Sequence, residues 1–364
     1  MTSTFMPRSK RNLQTVVMLL AIAGLVAARQ TFAQTTGYII SQLNAGEIPC
    51  RLNDLGDFVG RTGNSVGGET RATAWSHGTF KPKHLGILPG GEYSIAFAIN
   101  DTGGVTGASN TGDSIVPFIW RPAGGLQRIP LLPGDSCGQG LAINKHEHVA
   151  GYSSGPNGVR AFLWIPKTGV RHLESLPGAG YSRARAVNDS DEVAGTSARP
   201  TGDRAVLWTS AGRVLDLGTL PGDSLSEAMA INAAGDVVGY SKGPRGLRAF
   251  LWTKGGGMEE LGILPGGSSS RALDINNSGV VVGSSATSSG DRAFVWRKQT
   301  GMVDLNDAGS AAGLGAVLVE ADAINNKGEI LAMGNMVHGT MSSQNKICAP
   351  APPLSFLLTP SDSP

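Results

Sequence analysis

Five arginines stand four residues before a tryptophan, at Arg71, Arg160, Arg204, Arg248 and Arg292. If the segments that carry them close into a circle, they form a ring of guanidiniums. A guanidinium grips a carboxylate or phosphate through parallel hydrogen bonds, so the chemistry on offer is recognition of an anionic ligand such as a uronate. The same placement equally serves as a brace, each Arg pairing with an acid in an adjoining strand, such as Asp216, Glu260 or Asp304, or stacking on a Trp. A residue repeated in every unit serves what every unit needs, which favours the brace. A ligand site is expected instead among residues that differ between units, in the loop after Leu-Pro-Gly and the loop before Arg-Ala-Phe; alternating strand directions put both on one face.

Other constellations that look like chemistry have plainer explanations. Gly63-Asn64-Ser65-Val66-Gly67 spells the nucleophile pattern of hydrolases, which requires a strand-to-helix elbow, and no helix is expected here. His146-Glu147-His148 could hold a metal, yet it fills a slot occupied by turn residues in sister segments, and a solvated turn is the better reading. Gly313-x-Gly315 lacks the third glycine and the strand-helix setting of a dinucleotide loop. Charged residues are read as scattered over turn positions, without a convergent acid or metal cluster. No catalytic residue, metal ligand or cofactor is assigned.

What positions these residues is a repeat. The Leu-Pro-Gly leucines fall at Leu88, Leu132, Leu176, Leu220 and Leu264, and Trp120, Trp164, Trp208, Trp252 and Trp296 keep the same 44-residue step, with Trp75 one residue further out. Such a period marks a repeat architecture. The strand-end asparagines Asn53, Asn100, Asn144, Asn188, Asn232, Asn276 and Asn325 count seven modules, approximately 37–78, 79–124, 125–168, 169–212, 213–256, 257–300 and 301–360. Each Asn precedes a tight turn, where its side chain can bond its own backbone two residues on, and Gly56, Gly103, Gly235, Gly279 and Gly328 supply the positive φ three residues later. These asparagines are therefore structural. The seventh module places Leu358 where the others have Trp, and it carries insertions at 307–315 and 336–353.

Every module divides into four short strands bounded by Gly, Pro, Asn or Ser. Period-2 alanines before the Asn, such as Ala228 and Ala230, place one strand where neighbouring sheets converge, and Phe and Trp in the last strand fill a wider space. Seven four-stranded units with that taper predict an all-β, seven-bladed β-propeller as a single domain over residues 37–360. The alternative is a stacked β-solenoid, which would want polar caps that the end modules lack.

The combination of Asp-Leu-Gly-x-Leu-Pro-Gly, Ala-Ile-Asn-x-x-Gly-x-Val-Val-Gly-x-Ser and x-Ala-Phe-Leu-Trp resembles the bacterial HAF-family extracellular repeat, named for its His-Ala-Phe triplet. Here Arg replaces that His, at Arg160-Ala161-Phe162, Arg248-Ala249-Phe250 and Arg292-Ala293-Phe294. The resemblance implies an extracellular location and brings no reaction or ligand with it.

Export is also expected from the N-terminus. Arg8, Lys10 and Arg11 precede an apolar run from Val16 to Ala28, too short for a comfortable membrane span, and Thr31-Phe32-Ala33 offers a cleavage site, so residues 1–33 read as a secretory signal peptide. After its removal no stable membrane span is expected. Charged residues make up 16% of the 364 and the net charge is +2, which excludes a nucleic-acid footprint. Three cysteines cannot all pair internally. Ring closure would bring Cys50 and Cys348 together as a possible disulfide in an oxidising compartment, with Cys137 left over. The expected function is that of a secreted, monomeric, non-enzymatic scaffold binding an extracellular glycan or protein. A propeller-fold polysaccharide hydrolase or lyase is the alternative.

Overall fold

A computed structural model describes residues 31–35, 37–44, 46–63, 70–307, 315–336 and 354–361, the first of these segments by its backbone alone. Among the described residues there are strands and no α-helix. They form seven antiparallel sheets, each the blade of a seven-bladed β-propeller. Blade five shows the unit: strand A Leu225–Ile231, strand B Val237–Gly243, strand C Gly246–Thr253 and strand D Gly257–Gly262, counted outward from the axis. Blades one to four and six run from Glu47 to Gly86, Ser94 to Arg128, Cys137 to His172, Ser182 to Asp216 and Gly267 to Asp304.

The sequence module and the blade differ by one strand. Val214–Asp216, which opens the fifth module, pairs with Arg204–Trp208 as the outermost strand of blade four. The offset closes the ring. Blade seven takes strands A to C from Ala316–Ile324, Ile330–Met336 and Leu354–Pro360, and its fourth from the opposite end of the chain, Tyr38–Gln42. Tyr38 pairs with Pro360 and Gln42 with Phe356. Outside that strand lies Thr31–Thr35, which straddles the expected cleavage site at Ala33; the apolar run Val16 to Ala28 lies outside the described residues.

Strand C alternates between two interfaces, as a pleated strand must. Phe162 and Trp164 pack into the junction of blades two and three, whereas Ala161 and Leu163 pack into that of blades three and four. Among the described residues the buried apolar side chains fall into seven clusters, one per junction. Leu358 lies in the blade six–seven cluster, where the other junctions receive a Trp.

Serines stitch the junctions from the polar side. The amides of Ala72, Ala161, Ala205 and Ala249 donate to Ser94, Ser182, Ser226 and Ser270 of the next blade, at 2.9–3.0 Å. The Leu-Pro-Gly amides of Leu88, Leu176, Leu220 and Leu264 donate to the serines two residues after the glycine of Val-Gly-x-Ser or its variants, Ser109, Ser197, Ser241 and Ser285. Both motifs are thus joints between blades.

The asparagines do more than make hairpins. Asn276 Oδ1 accepts from the amides of Ser278 and Val280, both at 3.0 Å, which holds its own A–B turn. Its Nδ2 donates to the carbonyl of Asn325 at 3.1 Å. The same bond runs from Asn53 to Asn100, Asn100 to Asn144, Asn144 to Asn188, Asn188 to Asn232 and Asn232 to Asn276, and Asn325 returns to Asn53 at 2.9 Å. Seven buried amides form a closed hydrogen-bonded hoop around the axis.

Replacing Asn276 separates its two duties. Asn276→Asp keeps the turn acceptor and loses the inter-blade donor, setting an anionic oxygen against the Asn325 carbonyl, whereas Asn276→Ala loses both. Each is expected to cost about 2–4 kcal/mol, because buried groups lose their partners. Guanidinium denaturation midpoints check this: an Asp variant as stable as the parent would confine the Asn to its hairpin.

Candidate functional site

The axis of the ring is a channel whose wall is made by the seven inner strands. Each strand carries a β-bulge three residues before its Asn, where the register slips by one. The extra residues are Cys50, Phe97, Leu141, Arg185, Met229, Leu273 and Asp322. Across from the bulge stands the glycine of Val-Gly-x-Ser. A Cβ on Gly239 would come 1.9 Å from the carbonyl oxygen of Glu227, and one on Gly107, Gly151, Gly195 or Gly283 would come within 2.0 Å of its counterpart. That close approach requires glycine, and it lets the bulged residue leave the pleat. Cys50, Phe97, Leu141, Arg185 and Met229, from five different blades, together line one cavity of about 150 Å³ with Arg51.

The wall is uneven in chemistry. Blades one to three contribute Cys50, Phe97 and Leu141, with Ile48, Ile95 and Gln139 two residues earlier. The earlier positions of blades four to seven hold Arg183, Glu227, Arg271 and Glu320, alternating in sign around the ring. Arg185 pairs with Glu227 at 3.6 Å and Arg271 with Glu320 at 3.2 Å. Blades six and seven add Asp274 and Asp322, and Arg51 Nη1 donates to the Asp322 carbonyl at 2.7 Å. Burial first, and Glu320 next, push the Asp322 carboxyl up from 3.8 to about 8, against the lowering effect of Arg51. Burial also raises Asp274, although Arg51 and the amides of Ile324 and Ile275 favour its charged form. At the mouth of the channel on the A–B turn side, the asparagine hoop and its flanking residues bound a second cavity of about 250 Å³.

This convergence corrects the expectation that charged residues are scattered over turns. Arg51, Arg185, Asp274 and Asp322 stand two or three residues before the Asn of their modules, and Arg183, Glu227, Arg271 and Glu320 five before it. Departures from the common alanine two residues before the Asn and the common apolar residue three before it, with charges in four of the seven modules five before it, were the signal in the sequence. What hid it was the bulge, because strict alternation sends neighbouring side chains to opposite faces and gives no reason for position three to meet its counterparts.

The repeated arginines lie two strands away from the channel, at or near the start of strand C. Arg160 pairs with Asp135 at 2.8 Å, Arg248 with Glu260 at 3.3 Å, and Arg292 Nε lies 3.9 Å from Asp304. Arg204 and Arg248 each donate to the carbonyl of a residue entering the next blade, Ser224 at 2.7 Å and Ser268 at 2.8 Å. Asp216 pairs with Arg199 rather than Arg204. Arg71 begins strand C of blade one. The five stand on strand C of five different blades.

The turn His146-Glu147-His148 is occupied by inter-blade contacts. His148 Nδ1 lies 2.7 Å from Asp191 of blade four, and Glu147, in the positive-φ slot usually filled by glycine, pairs with Arg121 of blade two. Among the described residues no group of three His, Cys, Asp or Glu could hold a metal. Cys50 and Cys137 are free thiols, and Cys348 lies outside the described residues, as do Asn64 to Gly67 and the loop before Gly315. Burial raises the Cys50 thiol to about 11.

No protein-family model and no curated protein matches the chain. Solved structures do. An oligogalacturonate lyase in complex with manganese superposes at a TM-score of 0.55 and 14% identity, over 92% of this chain and 96% of that one. Virginiamycin B lyase from Staphylococcus aureus gives 0.53 and 11%, over 88% and 99%. A prolyl endopeptidase gives 0.56 and 11%; this chain covers 50% of it. At these identities the likeness establishes the fold.

The raised Asp322 carboxyl has a consequence for stability. A carboxyl that holds its proton to about pH 8 when folded, against 3.8 when free, favours the folded state fully only below about pH 4. That contribution is lost as the pH climbs toward 8. Asp322→Asn copies the neutral form and can still donate to Glu320, so it should exceed the parent in stability by roughly 2–3 kcal/mol at pH 8.5 and match it near pH 4. Denaturation at both pH values reads the difference; a variant less stable than the parent at pH 8.5 would contradict a neutral Asp322.

Proposed function

We propose that the protein is a secreted, non-enzymatic repeat scaffold, acting as a monomer, that binds an extracellular glycan or protein at its central channel. The observation that carries this is the division of labour along the inner strands. Residues that recur from blade to blade hold the ring together, and residues that differ are collected by the bulges onto one polar and asymmetric wall. A surface needed only for packing has no cause to alternate arginine and glutamate over four blades and place Ile, Phe, Leu, Cys and a single Gln at the same positions of the other three. Charges fixed on a rigid scaffold suit recognition of a charged or polar ligand.

Secretion is supported by the basic and apolar N-terminal pattern and by the HAF-like motifs. No helix among the described residues is long and apolar enough to cross a membrane. A polysaccharide hydrolase or lyase remains the second reading, favoured by one observation: Asp274, Glu320 and Asp322 converge beside Arg51, with one carboxyl kept protonated near neutral pH, as a general acid requires.

Glycan and protein arrays probed with the mature chain, followed by a turnover assay on every hit, separate the two. The scaffold predicts saturable binding with no new reducing or unsaturated ends. Cleavage of a bound glycan that disappears in Asp322→Asn would install the enzyme, and arrays without any ligand would overturn the scaffold.

A further inference from the structure

Beside the channel, between blades three, four and five, lies a cavity of about 260 Å³ lined by Val159, Tyr181, Arg183, Arg185, Thr196 and Glu227. Three of its polar atoms are buried and have no hydrogen-bond partner: the Nε atoms of Arg183 and Arg185 and the hydroxyl of Thr196. A buried donor left without a partner is costly, and nearly all such groups in folded proteins are satisfied. Three around one cavity point to an acceptor that the chain itself does not supply. Blade four is also the only module with arginine both three and five residues before its Asn.

The surrounding groups define that acceptor. Arg183 is held over the Tyr152 ring at 4.7 Å, which fixes its guanidinium without using its hydrogens. Arg185 shares the single lining carboxylate, Glu227, at 3.6 Å, so two cations face one anion. Tyr240 bonds the same Glu227 from behind, and Tyr181 donates to Asp203, which is not part of the lining. One negative charge is therefore wanted in the cavity, carried by a group with acceptor oxygens in a plane, since guanidiniums prefer paired oxygens. Glu227 in turn accepts hydrogen bonds, and its match is a hydroxyl next to that carboxylate.

Resting on the scaffold reading above, we propose that this cavity is a subsite for a uronic acid, the carboxylate between Arg183 and Arg185 and a ring hydroxyl on Glu227. A carboxylate flanked by hydroxyls is what distinguishes a uronate from the side chain of an acidic peptide, which brings no hydroxyl for Glu227. The ligand class is an acidic polysaccharide presented to the channel one residue at a time.

Titration of the full mature chain with glucuronate, glucose and N-acetyl-aspartyl amide, followed by NMR or calorimetry, tests this. Glucuronate should bind about tenfold or more tightly than either of the others, and Arg183→Gln or Arg185→Gln should weaken it about tenfold. Thr196→Val, nearly isosteric and uncharged, should weaken it less, and the exposed Arg213→Gln should leave it unchanged. Melting curves identify any variant that fails to fold, in which case Thr196→Val and Arg183→Lys, which keeps the charge but loses the fork, decide the matter by weaker glucuronate binding. Equal binding of glucose, tighter binding of the aspartyl amide, or undiminished affinity in folded Arg variants would overturn the subsite. A ligand found on arrays that still binds both Arg→Gln variants would overturn it too while leaving the scaffold reading intact.

Discussion

Everything in this ring depends on a carboxamide having two ends. The oxygen of each strand-end asparagine closes its own hairpin, and the nitrogen reaches the backbone of the next blade, so the local turn and the global circle are fixed by one side chain. Aspartate could make the turn and glycine could tolerate it, but neither can donate sideways. Seven such bonds at roughly 1 kcal/mol each amount to about the whole net stability of an ordinary domain. They also sit at the narrowest radius, where a small error in blade angle would open the circle, and so they set the spacing that the outer strands inherit.

The next constraint follows from the narrow radius. Inner strands that converge leave space for alanine or glycine on the faces, as at Ala96, Gly140, Ala184 and Ala228, and none for a functional side chain there. The bulge resolves the conflict by adding one residue that need not pack. Its cost is a glycine in the adjacent strand, which explains why Val-Gly-x-Ser recurs and why the residue before the alanine is free to vary. Repetition and variation thus occupy alternate positions of one strand, the first answering to packing and the second to whatever enters the channel.

The blade count, the strand count, the taper from alanine to Phe and Trp and the turn glycines could all be read from the sequence, because each rests on contacts within about ten residues or on a side-chain volume repeated at a fixed step. Two features could not. The sideways bond of the asparagine joins residues 44 to 49 apart, or 272 apart at the seam, and nothing in a single hairpin announces it. The channel wall depends on the bulge, which breaks the alternation from which faces are inferred. The repeated arginines are conspicuous for the opposite reason, their regularity. Arg204 and Arg248 end on backbone carbonyls of the following segment, as a joint would.

The seam between blade seven and blade one shows how much of the closure is a matter of chain ends. Tyr38–Gln42 completes blade seven by pairing with Leu354–Pro360, so one sheet contains both ends of the repeat, and the hoop is completed by Asn325 reaching Asn53. Asp54 accepts from the amide and side chain of Asn326 across the same seam, and Arg51 binds the Asp322 carbonyl beside it. Blade seven also has Leu358 in place of Trp, but that side chain faces blade six, whereas the seam itself is filled by Trp75, Phe58 and Leu357. Of the buried acids, Asp322 stands on blade seven beside this seam, and Asp274 stands on blade six, where its carboxylate accepts from the amide of Ile324 across the blade six–seven junction. A buried carboxyl there loses solvation, and the hydrogen bonds that Asp274 accepts from the Ile324 and Ile275 amides offset part of that loss.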